Sequence, residues 1–105
     1  MLNIANQELE RHLIVLLLRD KYPSDVYSHG PNKLIDLVAS QLCLDASKPD
    51  YLSVTLSHDE IISAGISRRN MYYINKRFNT MELLEVAKKR LGTFTYDLLI
   101  PRIAS

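Results

Sequence analysis

Gly65 constrains this chain more than any other residue. It stands between two helix-start signals only ten residues apart, Ser57 and Ser67. Ser57 with Glu60 three positions on has the reciprocal spacing of a capping box, and Ser67 is a second strong N-cap residue. A helix begun at Ser57 must therefore end within two turns. Gly65 lets it end, because a residue without Cβ adopts left-handed backbone angles at little cost. The pattern predicts a brief helix from Asp59 to about Ala64, burying Ile61 and Ile62, then a tight turn, then a second helix capped by Ser67.

The second helix has one apolar stripe. At about 100° per residue, Met71, Ile74 and Phe78 share a narrow face. Arg69, Tyr73 and Lys76 lie opposite, flanked by Asn70, Tyr72 and Arg77; Asn79 and Thr80 loosen the end. Before the capped pair, residues 51–56 alternate as a short strand, with Leu52, Val54 and Leu56 on one side and Tyr51, Ser53 and Thr55 on the other.

Residues 82–92 admit two readings. Asn79 and Glu82 have capping-box spacing, and Leu83, Leu84, Ala87 and Leu91 would line a helix. Alternatively residues 83–87 form a strand, 88–92 a basic turn and 93–99 a second strand. The hairpin is preferred, because Phe94, Tyr96 and Leu98 alternate cleanly with Thr93, Thr95 and Asp97, and the new strand needs a partner. Pro101 then ends the sheet.

Toward the N-terminus, Asn3 or Asn6 caps a predicted helix from Gln7 to about Tyr22. Leu9, Leu13, Leu16 and Leu17 recur at helical spacing, and Ile14, Val15 and Leu18 widen the stripe beyond one face. So apolar a helix is expected to be covered on two sides, by the core and by a second subunit. Tyr22-Pro23 ends it. A polar loop over 24–30 leads to Pro31, suited to a first helical turn. Leu34, Ile35, Val38 and Leu42, with Cys43, make the next buried stripe, and 45–50 is a loop.

At 105 residues, the chain is read as a single domain over 1–105, with helical support over 3–46 and the remaining elements over 51–101. Hydrophobic residues make up 47% and charged residues 24%, which excludes a disordered class. The lone cysteine, Cys43, excludes an intrachain disulfide. Flanked by Leu42 and Leu44, it reads as a buried thiol in a reducing, cytoplasmic setting. The longest apolar run, residues 13–18, falls short of the roughly 20 residues of a membrane span, and no targeting segment is read. Net charge is only +1, but it is uneven. Residues 1–50 carry five basic and seven acidic side chains, a net −2; residues 51–105 carry eight and five, a net +3. That asymmetry points to a polyanion-facing surface on the second half.

The order helix, helix, strand, short helix, turn, helix, hairpin resembles a winged helix-turn-helix domain. The resemblance is carried by AGISRRNMYYINKRF and by LLEVAKKRLGTFTYDLLI, within residues 51–101. It implies an α+β fold in which N-terminal helices support a strand, a helix-turn-helix and a C-terminal β-hairpin wing. It also implies sequence-specific binding of double-stranded DNA, as by a small prokaryotic, plasmid or phage transcriptional repressor. The side chains suit that role. A helix fits the major groove, and Arg69, Asn70, Tyr73 and Lys76 are donors for base edges or phosphate, with Tyr72 beside them. Arg68 and Arg77 would hold phosphates at the rim, and Ser67 would add a contact at the helix start. On the wing, Lys88, Lys89 and Arg90 would reach the flanking backbone or minor groove. Six phosphate contacts would make affinity fall roughly a thousandfold between 50 and 200 mM salt.

The competing class is the same fold docking a protein partner, which the near-neutral charge and acidic first half favour. A plasmid or phage replication-control or initiator protein is a third reading. Catalysis has no constellation. Tyr72-Tyr73 as a strand-nicking pair would need a paired-histidine metal site, and His12, His29 and His58 are scattered. Ser57-His58-Asp59 is a helix cap rather than a triad. Gly30, Gly65 and Gly92 stand singly, so no phosphate loop forms. The expectation is a protein that is not an enzyme, with no cofactor and no metal. Its expected partners are double-stranded DNA and, through the N-terminal helices, a second copy, with no membrane.

Overall fold

A computed structural model describes residues 4–22, 29–88 and 90–99, with the backbone alone for residues 4, 5 and 29. The chain is α+β. In order it forms α1 (Ile4–Lys21), α2 (His29–Gln41), β1 (Ser53–Ser57), α3 (His58–Ser63), α4 (Arg68–Phe78), β2 (Leu84–Ala87) and β3 (Thr93–Leu98). The strands make one antiparallel sheet in the order β1-β3-β2. No described helix is long and apolar enough to cross a membrane.

The capped segment folds as its local chemistry dictates. Ser57 Oγ accepts the Glu60 N–H at 3.0 Å while Glu60 Oε1 accepts the Ser57 N–H at 3.1 Å, closing the capping box. At the other end Gly65 has φ +96°. Its N–H reaches Ile62 O at 2.9 Å, and the Ile66 N–H reaches Ile61 O at 3.4 Å. These are the two bonds of a Schellman closure, which satisfies the last carbonyls and lays Ile66 against Ile61. Both isoleucines are buried. Ile62, expected inside, faces out, because so short a helix buries one edge only.

Residues 84–87 and 93–98 are strands, so the helical alternative fails. Central β3 pairs with β1 (Leu56 opposite Phe94, Val54 opposite Tyr96) and with β2 (Val86 opposite Tyr96, Leu84 opposite Leu98). Phe94, Tyr96 and Leu98 point inward, as the period of two requires. The outer edge of β2 is occupied. Asn79, just past α4, accepts the Val86 N–H at 2.8 Å through Oδ1 and donates Nδ2 to Val86 O at 3.4 Å. Its amide stands where a neighbouring strand would, fastening the end of α4 to the sheet.

The N-terminal half departs further from expectation. Asn6 lies inside α1 and is not its cap; Asn3 lies outside the described residues. Ile14 and Leu18 face the core with Tyr22, while Leu9, Leu13 and Leu16 are 58%, 52% and 48% exposed. Two polar contacts with α2 accompany that choice of face. Arg11 donates to Ala39 O and, at 2.9 Å, to Leu42 O, at the C-terminal end of α2 where carbonyls lack helical partners. Arg19 Nη2 bridges both Asp36 oxygens at 2.9 Å.

Helix α2 begins at His29, so residues 29 and 30 belong to it and not to the preceding loop; Pro31 sits in its first turn as expected. Leu34, Ile35, Val38 and Leu42 are buried, but Cys43 is only half-buried. Tyr51 falls outside β1, in a lone parallel bridge with Cys43. Leu52 at φ 59° turns the chain into the strand. Residues 23–28, Pro101 and the tail lie outside the described residues. The halves share one core, in which Phe78 meets Tyr22 and Tyr96 edge-on at 5.8 and 6.3 Å.

Candidate nucleic-acid interface

Helix α4 starts where Ser67 Oγ accepts the Asn70 N–H at 3.2 Å. Its inner face is Met71, Ile74 and Phe78, as the periodicity predicts, plus Asn75. Asn75 lies about 40° from Met71 around the helix, well within the stripe. It is 5% exposed, and its Oδ1 accepts the Tyr96 hydroxyl at 2.8 Å. Burial raises the Tyr96 pKa, so the hydroxyl stays protonated and serves as donor. The position in the stripe was legible from sequence; the partner on β3 was not.

The outer face carries Arg69, Tyr73 and Lys76, with Arg68, Asn70 and Tyr72 beside them, all exposed. Arg68, Arg69 and Lys76 have no ion-pair partner among the described residues. Three cations on one helix turn toward water. Arg77 is engaged. Its Nε and Nη2 donate to the Tyr73 hydroxyl at 3.2 and 2.7 Å, and its guanidinium lies 5.2 Å from the Tyr73 ring centre. The pair holds the tyrosine ring in place and leaves its O–H free to donate outward.

Tyr72 is only partly a surface residue. Its ring meets His58 and Phe94 edge-on at 5.8 and 5.6 Å, and His58 stacks on Phe94 at 4.9 Å. The His58 N–H donates to Gly92 O at 2.8 Å. The first half of α4, the start of α3 and the β2–β3 turn therefore meet through this aromatic trio. The turn bears Lys88 and Arg90, both exposed, and closes with Thr93 N–H on Arg90 O at 3.1 Å and Gly92 at φ +78°. Lys89 lies outside the described residues. Leu91, at the tip, is 94% exposed.

Of the residues expected at a binding surface, Ser67, Arg68, Arg69, Asn70, Tyr72, Tyr73, Lys76 and Arg77 are thus gathered on and around α4, with Lys88 and Arg90 on the adjacent turn. Sequence reasoning missed the trio, because His58, Tyr72 and Phe94 are far apart in the chain and only folding stacks them. Beside the α4 face lies a cleft of about 490 Å³, lined by Tyr22, Pro31, Asn70 and Ile74 among others. Arg69 and Tyr73 form part of its wall, so the outer face continues into a largely apolar recess. Compared with known proteins, the chain matches no family model, no curated protein and no solved structure.

Proposed function

We propose that this chain is a winged helix-turn-helix protein that binds double-stranded DNA sequence-specifically, as a small transcriptional repressor of prokaryotic, plasmid or phage type. The observation that carries the proposal is the outer face of α4. Arg68, Arg69 and Lys76 have no ion-pair partner among the described residues and stand around Tyr72 and Tyr73, on a helix whose inner face is locked by Phe78 and by the Asn75–Tyr96 hydrogen bond. A rigid helix of this width fits the major groove, and its long donors reach base edges only if the backbone is fixed. The basic β2–β3 turn, fastened beside α4 through His58 and Phe94, supplies phosphate contacts at one side.

Fluorescence anisotropy against duplexes selected from a random pool tests the proposal. Arg69→Ala is expected to cost about 1–3 kcal/mol and to relax preference at one base position. Lys76→Ala weakens all sequences alike and reduces the salt slope by about one. Failure of the wild-type chain to bind any duplex at low salt sinks the reading. The net charge of +1 favours a second one, the same face docking a protein. Early elution from heparin would be its signature.

A further inference from the structure

We propose that α1 pairs with α1 of a second copy of this chain, antiparallel, about a two-fold axis at Leu13. The proposal stands whether or not the chain binds DNA. Leu9, Leu13 and Leu16 are each about half exposed, on the face of α1 opposite Ile14 and Leu18. With Asp20 they recur at spacings of four, three and four residues, the seam spacing of paired helices. Leu17, half-buried, borders the seam. Core packing against α2 does not use this stripe.

Charge selects both the partner and its direction. Glu8 and Arg19 lie on one flank of the stripe, about 20° apart around the helix, and Glu10 and Lys21 lie on the other. At about 1.5 Å per residue, Glu8 sits about 7.5 Å to one side of Leu13 and Arg19 about 9 Å to the other. A two-fold axis perpendicular to the helix brings the same flank of both copies together with direction reversed. Glu8 then meets Arg19 of the second copy, twice. Asp20 comes opposite Asn6.

A parallel pair brings opposite flanks together in register. Glu8 would then face Glu10, Arg19 would face Lys21, and Asp20 would face Asp20. The acidic first half and basic last turn of α1 are thus complementary to themselves only when reversed. Arg19 remains available, since its contact with Asp36 uses Nη2 alone.

Sedimentation equilibrium of the full chain, from low micromolar to millimolar concentration, tests the pairing. The wild type is expected to shift from one chain to two. Leu13→Glu abolishes the shift without altering the thermal melt of the monomer, and Glu8→Arg weakens it by about threefold to tenfold. Cysteine cross-linking in a Cys43→Ser background reads direction. Leu13→Cys, on the axis, forms a disulfide-linked dimer under mild oxidation. Leu9→Cys and Leu16→Cys do not, because their own copies lie about 12 and 9 Å away along the axis. A wild type that stays monomeric throughout overturns the proposal and leaves the stripe to another partner. Cross-linking at all three positions overturns the antiparallel arrangement. Cross-linking at none places the contact elsewhere and overturns it as well.

Discussion

Helices α1 and α4 each present an outer face that the core does not use, and the two faces are chemically opposite. That of α4 is cationic and aromatic; that of α1 is a leucine stripe edged by charges of both signs. Their inner faces differ as well. Helix α4 has a single apolar stripe, so its orientation follows from periodicity. Helix α1 is apolar on two sides, so periodicity alone leaves two orientations open, and the seam of Leu9, Leu13 and Leu16 looked as fit for the core as Ile14 and Leu18. Polar contacts accompany the outcome. With Ile14 and Leu18 facing inward, Arg11 reaches the end of α2 and Arg19 reaches Asp36. An exposed ion pair is worth at most about 1 kcal/mol. Supplying unpaired carbonyls at a helix end adds a comparable amount, enough to decide between two similar apolar faces.

The contrast has measurable consequences. Phe78→Ala, on the inner face of α4, is expected to lower unfolding free energy by about 3–5 kcal/mol, since it removes a ring packed between Tyr22 and Tyr96. Leu13→Ala, measured by urea unfolding at concentrations where the chain is monomeric, is expected to stay within about 0.5 kcal/mol. Equal costs would mean that the outer leucines are packed within the chain, and the contrast between the helices would fail.

The anchoring of α4 gives a smaller effect than Phe78→Ala. Tyr96→Phe strands the buried Asn75 side chain and is expected to cost about 1–3 kcal/mol. It also carries a pH signature. Burial raises the Tyr96 pKa above its ordinary value of 10.0. The folded chain therefore holds this proton more tightly than the unfolded chain. The stability this contributes is complete below the unfolded value and is lost as pH climbs through about 10 and beyond. Urea midpoints taken between about pH 8 and 11 should fall in the wild type and fall less in Tyr96→Phe. Equal slopes would show that the hydroxyl is not confined as the structure places it.

Gly65→Ala is expected to cost less than Tyr96→Phe. At φ +96° a side chain is strained by about 1–2 kcal/mol. The nearest obstacle to a Cβ there is Lys33 Nζ at 2.9 Å, the end of a flexible chain that can swing aside. A loss in that range ties the orientation of α4 to the Schellman turn. No loss would show that the core alone sets it.

Much of the second half was legible in the residues. The Ser57–Glu60 box, the Gly65 closure and the Ser67 cap involve partners within five residues of one another, so local chemistry is sufficient to write them. The alternation of Phe94, Tyr96 and Leu98 carries one inward face and one answer. The outer face of α4 follows once its single stripe is placed. What sequence could not supply joins residues of different elements: Asn75 with Tyr96, Asn79 with Val86, Tyr72 with His58 and Phe94. Each depends on polar or aromatic geometry that appears only when the sheet and helices have met. The same holds for α1. Its composition specifies a helix with two apolar faces, and which of them becomes interior was left to the surface of α2, because burying either is similarly favourable until polar groups across the interface find partners.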